Sequence, residues 1–164
     1  MKILVLSDSH SAMSFMRQCV QRTKPNAIVH LGDHFDDGLA LKEEFFSVPF
    51  YQVPGNCDRY RCPPGQPEIL ILPVCGVLLY MTHGHKHKVK SYLGALLRDA
   101  RASGAAAVLY GHTHVADCRR EEDGLWVLNP GSCGYYGGSA GIIETEGSRI
   151  VSCRLVTADD LIMP

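Results

Sequence analysis

Residues 2–10 read Lys-Ile-Leu-Val-Leu-Ser-Asp-Ser-His, and this stretch decides the fold. Residues 2–6 form a short apolar run rich in branched side chains, which predicts a buried β-strand. The run stops at Asp8 and His10, whose side chains point the same way if the chain stays extended. The stretch therefore predicts a strand that carries a pair of polar side chains at its carboxyl end.

The same arrangement recurs four more times along the chain, at apolar runs 27–31, 50–53, 74–81 and 106–110. The polar blocks that follow these runs are Gly32-Asp33, Gly55-Asn56, Thr82-His83-Gly84 and Gly111-His112-Thr113-His114. Ligands of open α/β sheets bind outside the carboxyl ends of the strands. We therefore expect all the blocks to meet at one edge of the fold.

The order of elements indicates an α/β protein. Strands at 2–6, 27–31 and 50–53 alternate with helices at 11–22 and 38–46, which is typical of a parallel sheet with crossover helices. Later strands are predicted at 68–72, 74–81, 106–110, 116–121, 125–128, 141–145 and 150–155, with one helix at 89–102. Because the later strands are mostly antiparallel, we predict a two-sheet β sandwich with mixed sheets, flanked by helices. The second sheet is expected to consist largely of the later strands.

Length, charge and cysteine spacing bound the class of protein. A chain of 164 residues fits one domain, predicted to span 1–164. The formal net charge of -1 gives no global attraction to nucleic acid or to an anionic membrane. The seven cysteines contain no CxxC pair, which favours reduced thiols and a cytoplasmic protein. The apolar run at 3–6 is too short for a signal peptide, and no run is long enough to cross a membrane.

The polar blocks supply side chains that suit metal ions. Seven of them carry oxygen or imidazole donors: Asp8, His10, Asp33, Asn56, His83, His112 and His114. A mixed nitrogen and oxygen set without thiolate suits manganese, iron, zinc or nickel. Seven donors exceed the need of one ion, so a bridging carboxylate is expected to join two divalent ions, as in two-metal hydrolytic sites.

Other polar residues have simpler interpretations, because turns favour such residues in any protein. We interpret His30 as a strand end and His34 as a loop residue. The run from His85 to Lys90 either attracts phosphate or, as we favour, is a solvated helix start. The basic residues that follow the third block, Arg59 and Arg61, could clamp a phosphate or lie in solvent.

The motifs DxH, GDxxD, GNxD, HGH and GHTH, in this order, resemble the calcineurin-like metallophosphoesterases. The small size and the later Asn129-Pro130-Gly131-Ser132 resemble their compact prokaryotic phosphodiesterase branch. The resemblance implies one ion held by Asp8, His10 and His114 and another held by Asn56, His83 and His112, with Asp33 bridging. Manganese is favoured, and nickel, zinc, iron or magnesium would also be accepted. Asp36 and Asp58 are expected to orient a ligand or the bridging water.

The resemblance also implies a metal-dependent phosphodiesterase, in which a metal-bridging hydroxide attacks the phosphorus of a small phosphodiester. Asn56 would ligate a metal through its side-chain oxygen and orient the phosphate, which is a catalytic role. Asp58 is also counted as catalytic, because it is expected to orient a ligand or the bridging water. Many relatives have histidine where this chain has Cys57, and that histidine protonates the leaving group. Its absence favours diesters over monoesters and makes His85 the candidate proton donor. Cys57 is not expected to be a nucleophile.

The alternative is a binding module, because the same fold acts as an adaptor in the eukaryotic retromer coat. An adaptor tends to lose metal ligands, whereas all seven positions are filled here. The sequence therefore favours the hydrolase. It leaves the physiological substrate, the native metal and the oligomeric state open.

Overall fold

Residues 1–162 are described by a computed structural model, in which apolar runs form ten strands. The strands are β1 Lys2–Leu6, β2 Ala27–His30, β3 Phe50–Gln52, β4 Ile69–Val74, β5 Val77–Thr82, β6 Ala107–Leu109, β7 Asp117–Arg120, β8 Trp126–Asn129, β9 Ser139–Glu146 and β10 Arg149–Thr157. The helices are α1 Met13–Thr23, α2 Phe35–Glu44, α3 Gly94–Ala102 and α4 Ala158–Ile162, and a short 3-10 helix covers Asn56–Asp58. No helix in this part of the chain has the length and apolar character to span a bilayer.

The strands form two mixed sheets of five. The first has the order β10-β9-β1-β2-β3 and the second the order β4-β5-β6-β8-β7. In the first sheet, β1 pairs in parallel with β2 and antiparallel with β9. In the second, β5, β6 and β8 run parallel, and β4 and β7 pair antiparallel at the edges. The predicted α/β fold with two mixed sheets flanked by helices is confirmed.

Alternate side chains of β1 explain how the layers pack. Ile3 and Val5 lie in the core between the sheets, together with Leu79 of β5. Leu4 and Leu6 point to the other face and pack against α1, where Met16 is fully buried. A strand buried on both faces needs a continuous apolar run, as found at 2–6. On the outer face of the second sheet, α3 contributes to a separate apolar cluster.

The second sheet consists entirely of later strands, as expected, and the last two strands, β9 and β10, extend the first sheet because β9 pairs with β1. One detail of the predicted architecture is wrong. The third helix begins at Gly94 instead of residue 89, so the run from His85 to Lys90 forms turns and is not a helix start. Lys88 has a left-handed backbone with φ of 53°, which a helix does not tolerate.

Candidate metal centre

All seven predicted ligands lie in segments that follow strands, six of them on loops and Asn56 at the start of the short 3-10 helix. These segments follow β1, β2, β3, β5 and β6, in the order Asp8 and His10, Asp33, Asn56, His83, then His112 and His114. β1, β2 and β3 run parallel, as do β5 and β6, so the carboxyl ends within each sheet share an edge. The distances below show that the two edges meet.

Four side chains lie close enough together to hold one ion. Donor atoms of Asp8, His10, Asp33 and His114 all lie within 4.8 Å of one another. Nε2 of His114 is 3.0 Å from Oδ1 of Asp8. Oδ1 of Asp8 and Nε2 of His10 are buried and have no hydrogen-bond partner among the described residues. Unpaired buried polar atoms are costly, and a cation between them would satisfy both, so the residues fit a metal.

A second group lies on the other side of Asp33. Nε2 of His83 is 3.1 Å from Oδ1 of Asn56 and 3.5 Å from Oδ1 of Asp33. The rings of His83 and His112 have centroids 5.0 Å apart. Nδ1 of His83 lies 2.8 Å from the carbonyl oxygen of Leu31, to which it donates. This leaves the lone pair of Nε2 facing Asn56 and Asp33, the tautomer that a metal ligand needs.

The backbone of this site is unusual. Five of the seven predicted ligands have a left-handed backbone: Asp8 (φ 51°), His10 (φ 42°), Asp33 (φ 57°), His112 (φ 68°) and His114 (φ 60°). This conformation is uncommon in residues other than glycine, although Asp and His tolerate it better than most. Strained backbone of this kind clusters at functional sites, because the surrounding structure must hold it in place. Here the left-handed ligands lie in the loops after β1, β2 and β6.

Two glycines allow other loops to approach the carboxylates. A Cβ atom on Gly55 would lie 2.1 Å from Oδ1 of Asp33. A Cβ atom on Gly111 would lie 2.0 Å from Oγ of Ser7 and 2.7 Å from Oδ2 of Asp8. Any larger side chain at either position would therefore displace a candidate ligand or its neighbour.

Asp58 is fully buried and joins two of the loops. Its Oδ2 accepts backbone hydrogen bonds from Asp33 at 2.9 Å and Gly55 at 2.7 Å. Its Oδ1 accepts one from Phe35 at 2.8 Å. The carboxylate thus ties the loop after β2, which carries Asp33, to the loop after β3, which carries Asn56. It positions ligands through the backbone.

Asp36 lies elsewhere than expected. Its half-exposed carboxylate forms an ion pair with Arg61 at 2.8 Å, so neither residue points free into the site. The next residue, Asp37, is the one that binds the ligand loop. Its Oδ2 accepts hydrogen bonds from the hydroxyl of Ser9 and the backbone of Ser11, both at 2.8 Å. Asp36 and Asp37 are neighbouring carboxylates in the sequence. Only the packing of the folded chain shows that Asp37 is the one that contacts the ligand loop.

The motif from Asn129 to Ser132 also supports the ligands. The Ser132 hydroxyl donates to the carbonyl oxygen of Asp8 at 2.7 Å. The Asn129 amide donates to the carbonyl oxygen of Gly111 at 3.2 Å and to Oγ1 of Thr113 at 2.9 Å. The motif Asn129-Pro130-Gly131-Ser132 was expected only as a mark of the family, with no role in the site. The signal was available, because the motif begins at the end of β8 and is a sixth polar block at the carboxyl end of a strand.

The pKa values favour the forms that bind metal. Burial, and then the nearby His83 and Lys90, lower the pKa of His112 to about 4. Burial and the neighbouring His34 lower the pKa of His10. For Asp33, burial acts to raise the pKa, but His83 and the hydrogen bonds from Cys57 outweigh it, so the pKa is lowered. Neutral imidazoles and an ionised carboxylate are the states in which these side chains ligate cations.

His85 and Cys57 lie at the rim of the second group. The His85 ring lies 5.5 Å from that of His83, and its buried Nδ1 has no partner among the described residues. Burial and then His83 lower the pKa of His85. Burial and then Asp33 raise the pKa of the Cys57 thiol to about 11. A neutral thiol at physiological pH agrees with the expectation that Cys57 is not a nucleophile.

A cleft of about 550 Å³ opens beside this rim, and its lining includes Asn56, Arg59, Gln66, Glu68 and His85. The carboxylate of Glu68 is engaged by Lys86 at 2.6 Å. Across the site, the ring of Tyr135 stacks on His114 with centroids 5.0 Å apart. The site therefore has a polar cleft on one side and an aromatic wall on the other.

Two further histidines, His30 and His34, were expected to be a strand end and a loop residue, and the structure adds a contact with the site for His34. His30 ends β2 as predicted, is fully buried, and lies 3.3 Å from the Ser9 hydroxyl. Burial lowers its pKa to about 4. His34 lies in the loop after β2, but its ring is only 4.8 Å from that of His10. It is therefore part of the immediate surroundings of the first group.

This chain is similar in sequence to a phosphodiesterase and to a probable metallophosphoesterase. A phosphodiesterase of Methanocaldococcus jannaschii is 29% identical in an alignment that covers 89% of this chain and 94% of the relative. A probable metallophosphoesterase of Mycoplasma pneumoniae is 29% identical over 134 residues, which cover 80% and 78%.

Solved structures and a family model agree with these relatives. A predicted phosphoesterase of Streptococcus pneumoniae has a TM-score of 0.78 and 28% identity, covering 96% of this chain and 90% of that one. Vps29 of Entamoeba histolytica, complexed with zinc, has a TM-score of 0.72 and 18% identity, covering 96% of this chain and 99% of that one. At this low identity, the similarity shows a shared fold and nothing about function. Residues 1–148 match the model of the calcineurin-like phosphoesterase superfamily domain. The chain therefore belongs to the calcineurin-like phosphoesterase superfamily.

Proposed function

We propose that this protein is a phosphodiesterase that uses two divalent metal ions. The observation that carries the proposal is the pair of buried atoms without hydrogen bonds, Oδ1 of Asp8 and Nε2 of His10, inside a cluster of Asp and His side chains that converge on one point. The superfamily gives the general class of phosphoesterase. The relative from Methanocaldococcus jannaschii, named a phosphodiesterase, supports the diester substrate.

The two groups of side chains suit two ions. One ion would be held by Asp8, His10 and His114, the other by Asn56, His83 and His112, with Asp33 shared between them. When bound, two such ions neutralise charge on the phosphate oxygens and lower the pKa of water. Manganese is our favoured metal, because imidazole and oxygen donors without thiolate suit it, although nickel, zinc, iron and magnesium remain alternatives.

The chain's own residues would orient the substrate. Nδ2 of Asn56 points away from His83 toward Sγ of Cys57, at 3.4 Å, and is available to donate to a phosphate oxygen. The cleft beside Asn56 is large enough for the organic group of a small phosphodiester. His85 lines this cleft and would protonate the leaving oxygen. Because its pKa is lowered, a smaller fraction of His85 carries the proton at neutral pH, so substrates whose leaving group needs little protonation would react fastest.

The residue at position 57 supports diesters over monoesters. A monoester dianion brings one more negative charge to the site than a diester monoanion with the same leaving group. The Cys57 thiol has a pKa raised to about 11, so it offers neither a positive charge nor a good proton donor. A histidine at this position would offer both. Small phosphodiesters are therefore the proposed substrate class, with no special role for nucleic acid.

The test compares the full chain loaded with manganese on bis(4-nitrophenyl) phosphate and 4-nitrophenyl phosphate. We expect the protein to hydrolyse the diester faster than the monoester. Inductively coupled plasma mass spectrometry should find two manganese ions per chain. His83→Ala and His112→Ala should each lose diester hydrolysis by at least ~100-fold with unchanged circular dichroism. His87→Gln is the matched control, because this histidine contacts Tyr80 and lies outside the cluster. One ion or fewer per chain, or full activity in His83→Ala, would contradict the proposal.

A binding module is the second candidate, and the fold similarity to Vps29 is the observation that favours it. The complete set of ligands weighs against it. A protein that binds two manganese ions but hydrolyses neither ester would support the binding module over the phosphodiesterase.

A further inference from the structure

Two cysteines from different sheets meet at one side of the sandwich. Cys118 lies in β7, an edge strand of the second sheet, and Cys153 lies in β10, an edge strand of the first. Their Sγ atoms are 3.1 Å apart although 35 positions separate them in the sequence. Both thiols are free, as are the other five cysteines.

We propose that Cys118 and Cys153 are a modification site for a small-molecule disulfide such as oxidised glutathione, which converts them to an internal disulfide. A disulfide has an S–S bond of about 2.05 Å, so the sulfur atoms must approach by only about 1 Å. The two edge strands already hold them in contact, so little backbone movement is needed.

The reaction is two successive thiol–disulfide exchanges. The thiolate of one cysteine attacks a sulfur of oxidised glutathione, forming a mixed disulfide and releasing one glutathione thiolate. The thiolate of the second cysteine then attacks the protein sulfur of the mixed disulfide and releases the second glutathione. Two protein thiols are oxidised, one glutathione disulfide is reduced, and the two thiol protons pass to the released glutathiones.

The surroundings of the pair favour an internal bond. Both side chains are partly buried at the border of the apolar core between the sheets. Burial and then the neighbouring Cys118 raise the pKa of Cys153, so the exchange is expected to be faster at alkaline pH. Cys57 is exposed, and its sulfur contacts the Asn56 amide. An exposed thiol without a thiol neighbour forms mixed disulfides instead.

The bond would connect the two sheets covalently. In the described part of the chain, β7 and β10 are in contact across the sandwich through side-chain packing and the thiol pair, without a covalent bond. A disulfide that closes a loop of this length constrains the unfolded chain, and we expect it to raise the melting temperature by roughly 10 °C.

The experiment treats the folded full chain with excess oxidised glutathione at about pH 8.5, where more thiolate is present. Peptide mapping of the unreduced digest should give a peptide pair joined through Cys118 and Cys153, lighter by about 2 Da than the sum of its parts. Dithiothreitol should remove the link and the gain in melting temperature. Cys62→Ser is the matched control and should form the same link.

Cys118→Ser and Cys153→Ser should each form no internal disulfide and should carry one glutathione on the remaining cysteine. Where the serine variants misfold by circular dichroism, Cys118→Ala and Cys153→Ala replace them. Three results would overturn the proposal: glutathione on both cysteines of the original chain without a link, a link that joins other cysteines, or a linked protein that melts no higher than its reduced form.

Discussion

Replacing Asp58 by alanine removes the carboxylate that joins the loops after β2 and β3. Three backbone N–H groups, at 2.7, 2.8 and 2.9 Å from this fully buried carboxylate, would lose their acceptor. Each buried donor left unpaired costs about 1–3 kcal/mol, and water entering the cavity would recover part of it. We expect the free energy of unfolding to fall by about 4 kcal/mol, a large share of the ~5–15 kcal/mol of a typical domain.

The assay is urea unfolding of the metal-free protein, with circular dichroism as the signal that monitors unfolding. Asp58→Asn keeps one acceptor oxygen and should lose about half as much, since its amide nitrogen would face at least one backbone N–H. Asp36→Ala is the matched control, because it removes an exposed ion pair with Arg61 and should cost less than ~1 kcal/mol. An Asp58→Ala protein within ~1 kcal/mol of the original chain would refute the reasoning that this carboxylate holds the loops.

Three further predictions concern the site and its surroundings. Gly55→Ala places a Cβ atom 2.1 Å from Oδ1 of Asp33 and should reduce bound manganese below one ion per chain. Gly65→Ala has open space around it, and although its left-handed backbone (φ 81°) should cost some stability, the variant should keep the original metal content. Equal metal content in both variants would contradict the close approach. Cys57→His should raise kcat/KM for 4-nitrophenyl phosphate relative to bis(4-nitrophenyl) phosphate, because it adds a proton donor, and an unchanged ratio counts against this role for position 57. Burial lowers the pKa of His30 from 6.5 to about 4, so the unfolded chain binds the proton first as the pH falls. Stability should therefore be lost by roughly 3 kcal/mol between neutral pH and pH 4, and His30→Gln should lack this part of the loss; parallel pH profiles of unfolding free energy would be the contrary result.

The parts of the fold that the sequence predicts are those set by local pattern. β1 is buried on both faces, so its apolar run is continuous and its bounds are predicted correctly. The candidate ligands follow their strands directly, so predicting the strands was enough to bring the polar blocks to one edge. Local pattern is also what identifies β2 and β5, whose apolar runs end where the polar blocks begin.

The parts that the sequence does not predict depend on contacts between distant segments. α2 begins at Phe35, before the predicted start, because the carboxylate of Asp58 from another loop accepts the N–H of Phe35. β9 joins the first sheet because it pairs with β1, and nothing local distinguishes this from pairing in the second sheet. Asp37, and not Asp36, binds the ligand loop because of the side of α2 on which it lies.

The link between the Ser132 hydroxyl and the carbonyl oxygen of Asp8 spans 124 positions of the chain, and β9 completes the pairing of β1 beyond it. On the ribosome, Asp8 and His10 are synthesised long before the segment that holds their loop in place. Contacts so distant in sequence form slowly and late in folding. The loop after β1 can therefore reach its final conformation only when nearly the whole chain has been made, and we expect the proposed metal ions to bind late in folding and not during early synthesis.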